Sequence, residues 1–395
     1  MPNLVRETNR VLPAEPYKAL ESYIAAGGGK GLEAARAVGP DVIIEELVAS
    51  GLRGRGGAGF PTGVKWRTIK SFASPVLRTS VVVNAAEGEP GTFKDRMILR
   101  TNPYSVIEGA LIAARAVDAA SITIATKAGF AEEIRRLREA IGEMTAAGWV
   151  GDVEIAIVKG PSEYLYGEET ALLEVIDGRP PFPRLAPPYR RGIDEVVETD
   201  ADVDSGSGLS ASVEMAGTDG LGVAPPVLVN NVETIANVAE IIARGAAWFR
   251  SVGTEKSPGT IVCTVTGDVQ HPGVLEIPMG VSLREAIDLV SGGPLPDRHI
   301  KAVLVGVSNA VLTPEQLDVE LSYEAMAKIG SGLGSAGYIV IDDSTDAVGL
   351  AAGASRFLAV ESCGQCAPCK QDGAEIAATL AKLATGSGEP VDLDT

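Results

Sequence analysis

The sequence predicts a layered α/β domain, then a small α+β domain, then a helical tail. Three observations predict this. Short β-branched runs at residues 80–83, 121–125 and 152–158 alternate with helical stretches such as 131–143, and such alternation implies a sheet covered by helices. A second set of strand patterns, at 260–266, 302–305 and 338–341, surrounds one short helical stretch at 283–290. Past residue 347 the pattern is helical and is interrupted by Cys363-Gly-Gln-Cys366-Ala-Pro-Cys369.

Taken in order, residues 15–50 read as helical, with Leu20, Tyr23 and Ile24, then Ile43, Ile44 and Leu47, at helical spacing. A glycine-dense loop follows at 51–63 and leads into the first strand. Residues 192–222 interrupt the alternation, because acids and glycines replace any apolar period there, and they predict an acidic surface loop. In the second domain 272–274 reads as a turn. The tail reads as a helix over 347–360, the cysteine turn, a helix over 371–383 and a polar end at 385–390.

Composition narrows the function. The chain has 395 residues, 45% of them hydrophobic, and a formal charge of −18. That length supports two or three domains, and the acidity argues against nucleic acid, which selects clustered Lys and Arg. Four cysteines, three of them in one turn, do not make a disulfide framework, so a reducing, cytoplasmic setting is expected. The polar start predicts no leader peptide, and no apolar run approaches the roughly 20 residues of a membrane-spanning helix. Direct membrane insertion is not expected, so any work at a membrane would run through a partner. The two histidines, His271 and His299, sit in turn or loop sequence, which argues against a histidine base.

Five stretches carry chemistry. The cysteine turn sets three thiols at C-x2-C-x2-C, a spacing suited to an iron–sulfur cluster, which normally takes four thiolates. Structural zinc also wants four closed ligands, and no histidine lies nearby, so a zinc-binding interaction module is the weaker reading. Gly54-Arg55-Gly56-Gly57-Ala58-Gly59-Phe60-Pro61-Thr62-Gly63-Val64-Lys65 lets the backbone approach a ligand closely and offers N–H groups to phosphate. Its G-x-G-x-x-G pattern follows helical rather than strand sequence, so it fits a phosphate or flavin cradle better than a dinucleotide turn. Asn84 to Arg96 lies just past a strand end. There Asn84 offers an amide to a ring or sugar, while Glu87 and Glu89 offer acceptors to ribose or carboxamide. Tyr164-Leu-Tyr166-Gly167-Glu168-Glu169-Thr170 opens a helix with backbone N–H groups and two carboxylates at one point. A paired-carboxylate glycosidase has no other support in the chain. Asn230-Asn231-Val232-Glu233-Thr234 places two amides and a hydroxyl at a helix start, where an ordinary N-cap is the plainer reading.

These five stretches, in this order, resemble the NADH- and FMN-binding flavoprotein subunit of NADH dehydrogenases (respiratory complex I), with relatives in NAD-reducing hydrogenases and formate dehydrogenases. The resemblance covers about residues 15–383. It implies a Rossmann-like FMN/NAD domain at 1–248, a ubiquitin-like (SLBB-type) domain at 249–343 and a helical iron–sulfur segment at 344–395. It implies FMN near Gly54, Gly56, Gly57, Gly59, Lys65, Asn84, Gly167, Asn230, Asn231 and Thr234. It implies NADH near Phe60, Glu89, Tyr164, Glu168, Glu169 and Tyr189, and a [4Fe–4S] cluster on Cys363, Cys366 and Cys369. A fourth thiolate is expected beyond residue 395, the chain reading as truncated there, and Cys263 is expected to be a buried core thiol. The implied activity is hydride transfer from NADH to FMN, then single electrons to the cluster and to partners: a thioredoxin-like [2Fe–2S] subunit and a larger iron–sulfur or catalytic subunit. Ala86, Thr68 and Ala186 depart from the family's usual Asp, aromatic and Lys. They motivate the alternative of a non-catalytic flavin and iron–sulfur scaffold or relay.

Overall fold

The computed structural model describes residues 9–73, 78–193 and 225–387. The acidic stretch expected at 192–222 falls almost wholly outside them. Four parallel strands form the first sheet: β1 (Thr79–Ala85), β2 (Ala119–Lys127), β3 (Glu154–Gly160) and β4 (Val227–Asn231), in the order β3-β2-β1-β4. β1 is central and covered on both faces, which explains its unbroken Ser-Val-Val-Val run in place of an alternating pattern. The N-terminal helical region is three helices, Leu20–Ala25, Lys30–Ala37 and Pro40–Ser50, which break at Gly27, Gly29 and Gly39.

Between β1 and β2 the chain makes two helices, Lys94–Thr101 and Pro103–Val117. The second is buried along nearly its whole length and starts on an Asn102 side chain that accepts the Ser105 N–H at 3.2 Å. It packs closely on the helix Val232–Arg244. A Cβ at Gly109 would lie 2.1 Å from the Ile235 carbonyl oxygen, so only glycine permits this approach.

The second sheet runs β6-β5-β8-β7, from β5 (Thr260–Gly267), β6 (Gly273–Pro278), β7 (Ile300–Val305) and β8 (Gly337–Asp342). β5 and β8 are parallel and the outer pairs antiparallel. Residues 273–274 belong to β6 rather than to the expected turn, pairing with Thr264 and Val265. The apolar content of that strand lies after the glycine, which hid it. Cys263 is fully buried in this sheet's core, as expected. Glu276, also buried, accepts the backbone N–H groups of Arg10, Val11 and Leu12 and the Thr260 hydroxyl, and so straps the N-terminal segment across the second domain.

The tail is a hairpin of helices Ala347–Glu361 and Gly373–Ala384, joined through the cysteine turn and a π-helical turn, Pro368–Asp372. Neither long helix buries a side chain. Among the described residues no helix is long and apolar enough to cross a membrane.

Candidate functional site

The strand order reverses between β1 and β4, and ligands of parallel sheets bind outside the carboxyl ends of the strands at such a reversal. β1 carries Asn84 one residue before its end and β4 ends in Asn231, the two in register. A cleft of about 370 Å³ opens at this point, lined by Gly56, Asn84, Ala86, Glu87, Gly88, Glu89, Asp95, Tyr164, Gly167, Glu168 and Asn231. A second lobe of about 520 Å³ adjoins it, sharing Gly56, Glu89, Tyr164 and Ser335 and adding Arg53, Gly57 and the second domain's Gly306, Ser308 and Asn309.

The glycine loop reaches the cleft because helix Pro40–Ser50 stops at Gly51, a left-handed residue, and the next helix, Thr62–Ser71, starts at the far side of the loop. Arg53 and Pro61 bridge its base, and the Gly54 N–H donates to the Phe60 carbonyl at 2.9 Å. A Cβ on Gly56 would crowd the Asn231 Cβ at 3.2 Å, and one on Gly59 would strike the Tyr323 ring. Arg55, inside the loop, is buried. Its backbone N–H donates to the Thr234 hydroxyl at 2.8 Å, and its guanidinium donates to the Thr260 and Pro258 carbonyls of the second domain. Tyr323, also from that domain, donates its hydroxyl to the Gly54 carbonyl at 2.7 Å and carries the Arg53 guanidinium over its ring.

The cleft floor rests on buried charge. The Lys94 ammonium contacts Asp95 at 2.7 Å, Glu233 at 3.0 Å and the Asn231 amide oxygen at 3.1 Å, while the Asn231 amide N–H donates to Asp95. Despite full burial, these two carboxylates raise the Lys94 pKa and keep it charged. Glu87 does not face the cleft as a free acceptor for ribose: its carboxylate takes the Asp95 N–H and the Arg96 guanidinium. Burial, followed by the Asp95 charge, pushes the Glu87 pKa up to about 7. Asn84 donates to the Gly167 carbonyl at 2.9 Å, and Glu168 caps helix Glu169–Ile176 through the Thr170 and Ala171 N–H groups. Tyr164 donates its hydroxyl to Glu89, which also accepts the Val307 N–H at 2.7 Å from the second domain. Burial is the main cause holding the Tyr164 pKa above its ordinary value, ahead of the Glu89 carboxylate.

Of the sequence-predicted site residues, Gly56, Gly57, Asn84, Glu89, Tyr164, Gly167, Glu168 and Asn231 line the two lobes. The others stand behind or beside them. Lys65 pairs with Glu169, and Asn230 accepts from the Trp66 indole at 2.8 Å. Thr234 is taken up by the Arg55 N–H, while Gly54 and Gly59 shape the loop. Phe60 is exposed, and Tyr189 packs against Phe72 with ring centres 5.1 Å apart. Arg55, Lys94, Asp95, Tyr323 and Ser335 were not singled out from sequence. A lone arginine inside a glycine run was the one local signal.

The lobes suit a nucleotide-sized ligand in volume and offer amide, carboxylate and backbone partners to a flavin ring and a ribose. Cys363 is half-buried, and Cys366 and Cys369 are exposed. The Cys369 pKa is raised, first by its thiol's hydrogen bond to Cys366 and then by the charges of Cys366 and Cys363. Among the described residues no three acidic, Cys or His side chains converge on a single-ion site. An iron–sulfur cube does not require that, since each thiolate binds a different iron.

Comparison with known proteins matches residues 47–240 to the Nuo51 FMN-binding domain, 262–305 to the SLBB domain and 349–395 to the NADH-ubiquinone oxidoreductase-F iron-sulfur binding region. An F subunit of NADH-quinone oxidoreductase from Rhizobium meliloti is 39% identical over 95% of this chain and 85% of its own length. Its Streptomyces coelicolor counterpart is 38% identical over 95% and 79%. The structure of an NAD+-reducing [NiFe]-hydrogenase in the H2-reduced state superposes with a TM-score of 0.79 at 33% identity. That match covers 96% of this chain and 60% of the hydrogenase chain.

Proposed function

The chain belongs to the family of NADH-quinone oxidoreductase F subunits, and we propose that the β1–β4 crevice is where it holds FMN and meets NADH. It is an NADH-oxidising electron-input subunit. When bound, FMN would supply hydride acceptance from NADH and a [4Fe–4S] cluster would supply one-electron transfer. The chain's own residues orient and insulate. Gly56, Gly57 and Asn231 form the floor that lets the flavin approach the backbone. Asn84, fixed by Gly167, presents its amide at the strand end. Lys65 exchanges Glu169 for the flavin, with Gly54, Gly59, Asn230 and Thr234 holding the loop and strand end behind it. Glu89, Tyr164, Glu168 and Glu169 meet NADH, Tyr164 and Tyr189 offer it flat faces, and Phe60 lies near it. Cys363, Cys366 and Cys369 hold the cluster. Hydride transfer needs no protein base, and both histidines are exposed, away from the cleft lining.

The observation that carries this reading is the meeting of the glycine loop, Asn84 and Asn231 at one strand reversal. The scaffold alternative is not favoured, because the relatives are oxidoreductase subunits. The first sheet's order and parallel pairing support a Rossmann-like domain, and the mixed second sheet with the helix Leu283–Ser291 packed on it supports a ubiquitin-like domain. We take the domain boundaries to be 248/249 and 343/344. As a subunit of a larger complex the chain has partner subunits. We take these to be a thioredoxin-like [2Fe–2S] subunit and a larger iron–sulfur or catalytic subunit, with the assembly peripheral at a membrane. Anaerobic titration of the purified protein with NADH tests the reading. Bleaching of flavin absorbance and appearance of a cluster EPR signal are expected, and a flavin band unmoved by NADH overturns it.

A further inference from the structure

Two contacts tie the helical hairpin to the cleft, and both fall on Tyr164. The Glu361 carboxylate accepts the Tyr164 backbone N–H at 2.7 Å, across 197 residues of sequence. The Phe357 ring meets the Tyr164 ring edge-on, with centres 5.3 Å apart. Phe357 and Glu361 are one helical turn apart on one face of the helix, so both reach the same partner. The hairpin's long helices bury no side chain of their own. Its seat on the body is therefore thin, and these specific contacts bear much of it.

Tyr164 is not a neutral anchor. It opens the short helical turn Tyr164–Gly167, and that turn supplies Leu165 and Gly167 to the cleft wall. Its hydroxyl donates to Glu89, which faces both lobes. At the other end of the link, Glu361 is the last residue of its helix and stands two positions before Cys363. A displacement of the cysteine turn is therefore carried into Glu361, and from there into the N–H that sets the turn at Tyr164.

We infer that Glu361 is a positioning residue for the nucleotide site, fixing Tyr164 and Glu89 from the base of the cysteine turn and coupling nucleotide affinity to the state of that turn. The inference rests on the proposed placement of FMN and NADH in the cleft. By reciprocity, whatever orders the cysteine turn tightens nucleotide binding, and bound nucleotide steadies the turn.

The test uses NAD+, which perturbs the flavin spectrum without reducing it, on the full chain loaded with FMN. Loss of a hydrogen bond to a charged acceptor predicts NAD+ affinity about tenfold weaker in Glu361→Ala. Glu361→Gln keeps an acceptor oxygen and is expected to retain affinity within about threefold of the parent. Phe357→Ala, which leaves the hydrogen bond in place, is expected to fall between them and serves should Glu361→Ala fail to fold. Flavin content should match the parent in all three. Parent-like affinity in both alanine variants overturns the inference, as does Glu361→Gln being as weak as Glu361→Ala. An unmutated protein whose flavin band does not respond to NAD+ contradicts the site assignment itself, a separate failure.

Discussion

At the residue scale the candidate site rests on a cluster of buried charges. Lys94 neutralises Asp95 and Glu233 in a fully buried cluster and holds Asn231 at the cleft floor. Removing one member of such a cluster strands the others. Lys94→Met is therefore expected to lower unfolding free energy by about 3–5 kcal/mol in urea melts and to release FMN. A triple change that also neutralises both acids should recover much of that loss. The visible site residues were legible because their types are unusual where they stand: glycines at high density, amides at strand ends, paired acids at a helix start. Arg55, Tyr323 and Glu361 were not, since each acts through a partner far away in sequence. Arg55 bonds Thr234 and Thr260, and Glu361 bonds Tyr164. Local pattern carries no record of such pairs. Glu87 shows the converse, because its position past a strand end suggested a free acceptor, while the fold gave its oxygens to Asp95 and Arg96.

At the element scale, β1 was readable because a buried central strand is a continuous apolar run, and β2 and β3 because they are rich in β-branched residues. β4 was not, since Val227–Asn231 is short and its Asn-Asn end reads as a helix cap, a role Asn231 also fills by accepting the Glu233 N–H. The helix Pro103–Val117 supplies a prediction whose sign opposes propensity. Gly→Ala inside a helix normally stabilises by about 1 kcal/mol. At Gly109 the added methyl would meet the Ile235 carbonyl, so Gly109→Ala is expected to destabilise by about 1–3 kcal/mol. Ala→Gly at the exposed Ala146 of helix Ala131–Ala146 serves as the propensity control. Glu168 caps helix Glu169–Ile176 with its side chain. Glu168→Ala is expected to reduce stability by about 1 kcal/mol and to loosen the cleft wall, read as faster amide exchange at Thr170 and Ala171.

At the scale of the whole molecule, Glu276 ties the N-terminal segment to the second domain. Burial pushes its pKa up to about 7 from an ordinary 4.5, against the opposing pull of the Thr260 hydroxyl and the Val11 and Leu12 amides. A raised carboxyl pKa means the folded state holds the proton more tightly than the unfolded chain. Its stabilising contribution is thus complete below the unfolded value and lost as pH rises through the folded one. Between pH 4.5 and pH 7 the wild type should lose stability relative to Glu276→Gln, by an amount that levels off above pH 7. Chemical melts of both proteins across that range measure it. The cysteines give a second whole-chain readout. Cys263 is fully buried, and burial raises its pKa, whereas the turn thiols are half-buried or exposed. A maleimide reagent applied to native, cluster-free protein is expected to modify Cys363, Cys366 and Cys369 and to spare Cys263 until the chain is unfolded.

The Arg55 contacts also fix an order of events on the ribosome. The glycine loop is made early, but the groups that hold it come later: Thr234, then Pro258 and Thr260, then the Tyr323 hydroxyl. The first sheet likewise waits for β4, because β1 stays open on one side until Val227–Asn231 has left the exit tunnel. A nascent chain stalled before that point is expected to carry a protease-sensitive loop and a central strand paired on one edge only, and the glycine loop gains its full set of partners only after the second domain has been synthesised.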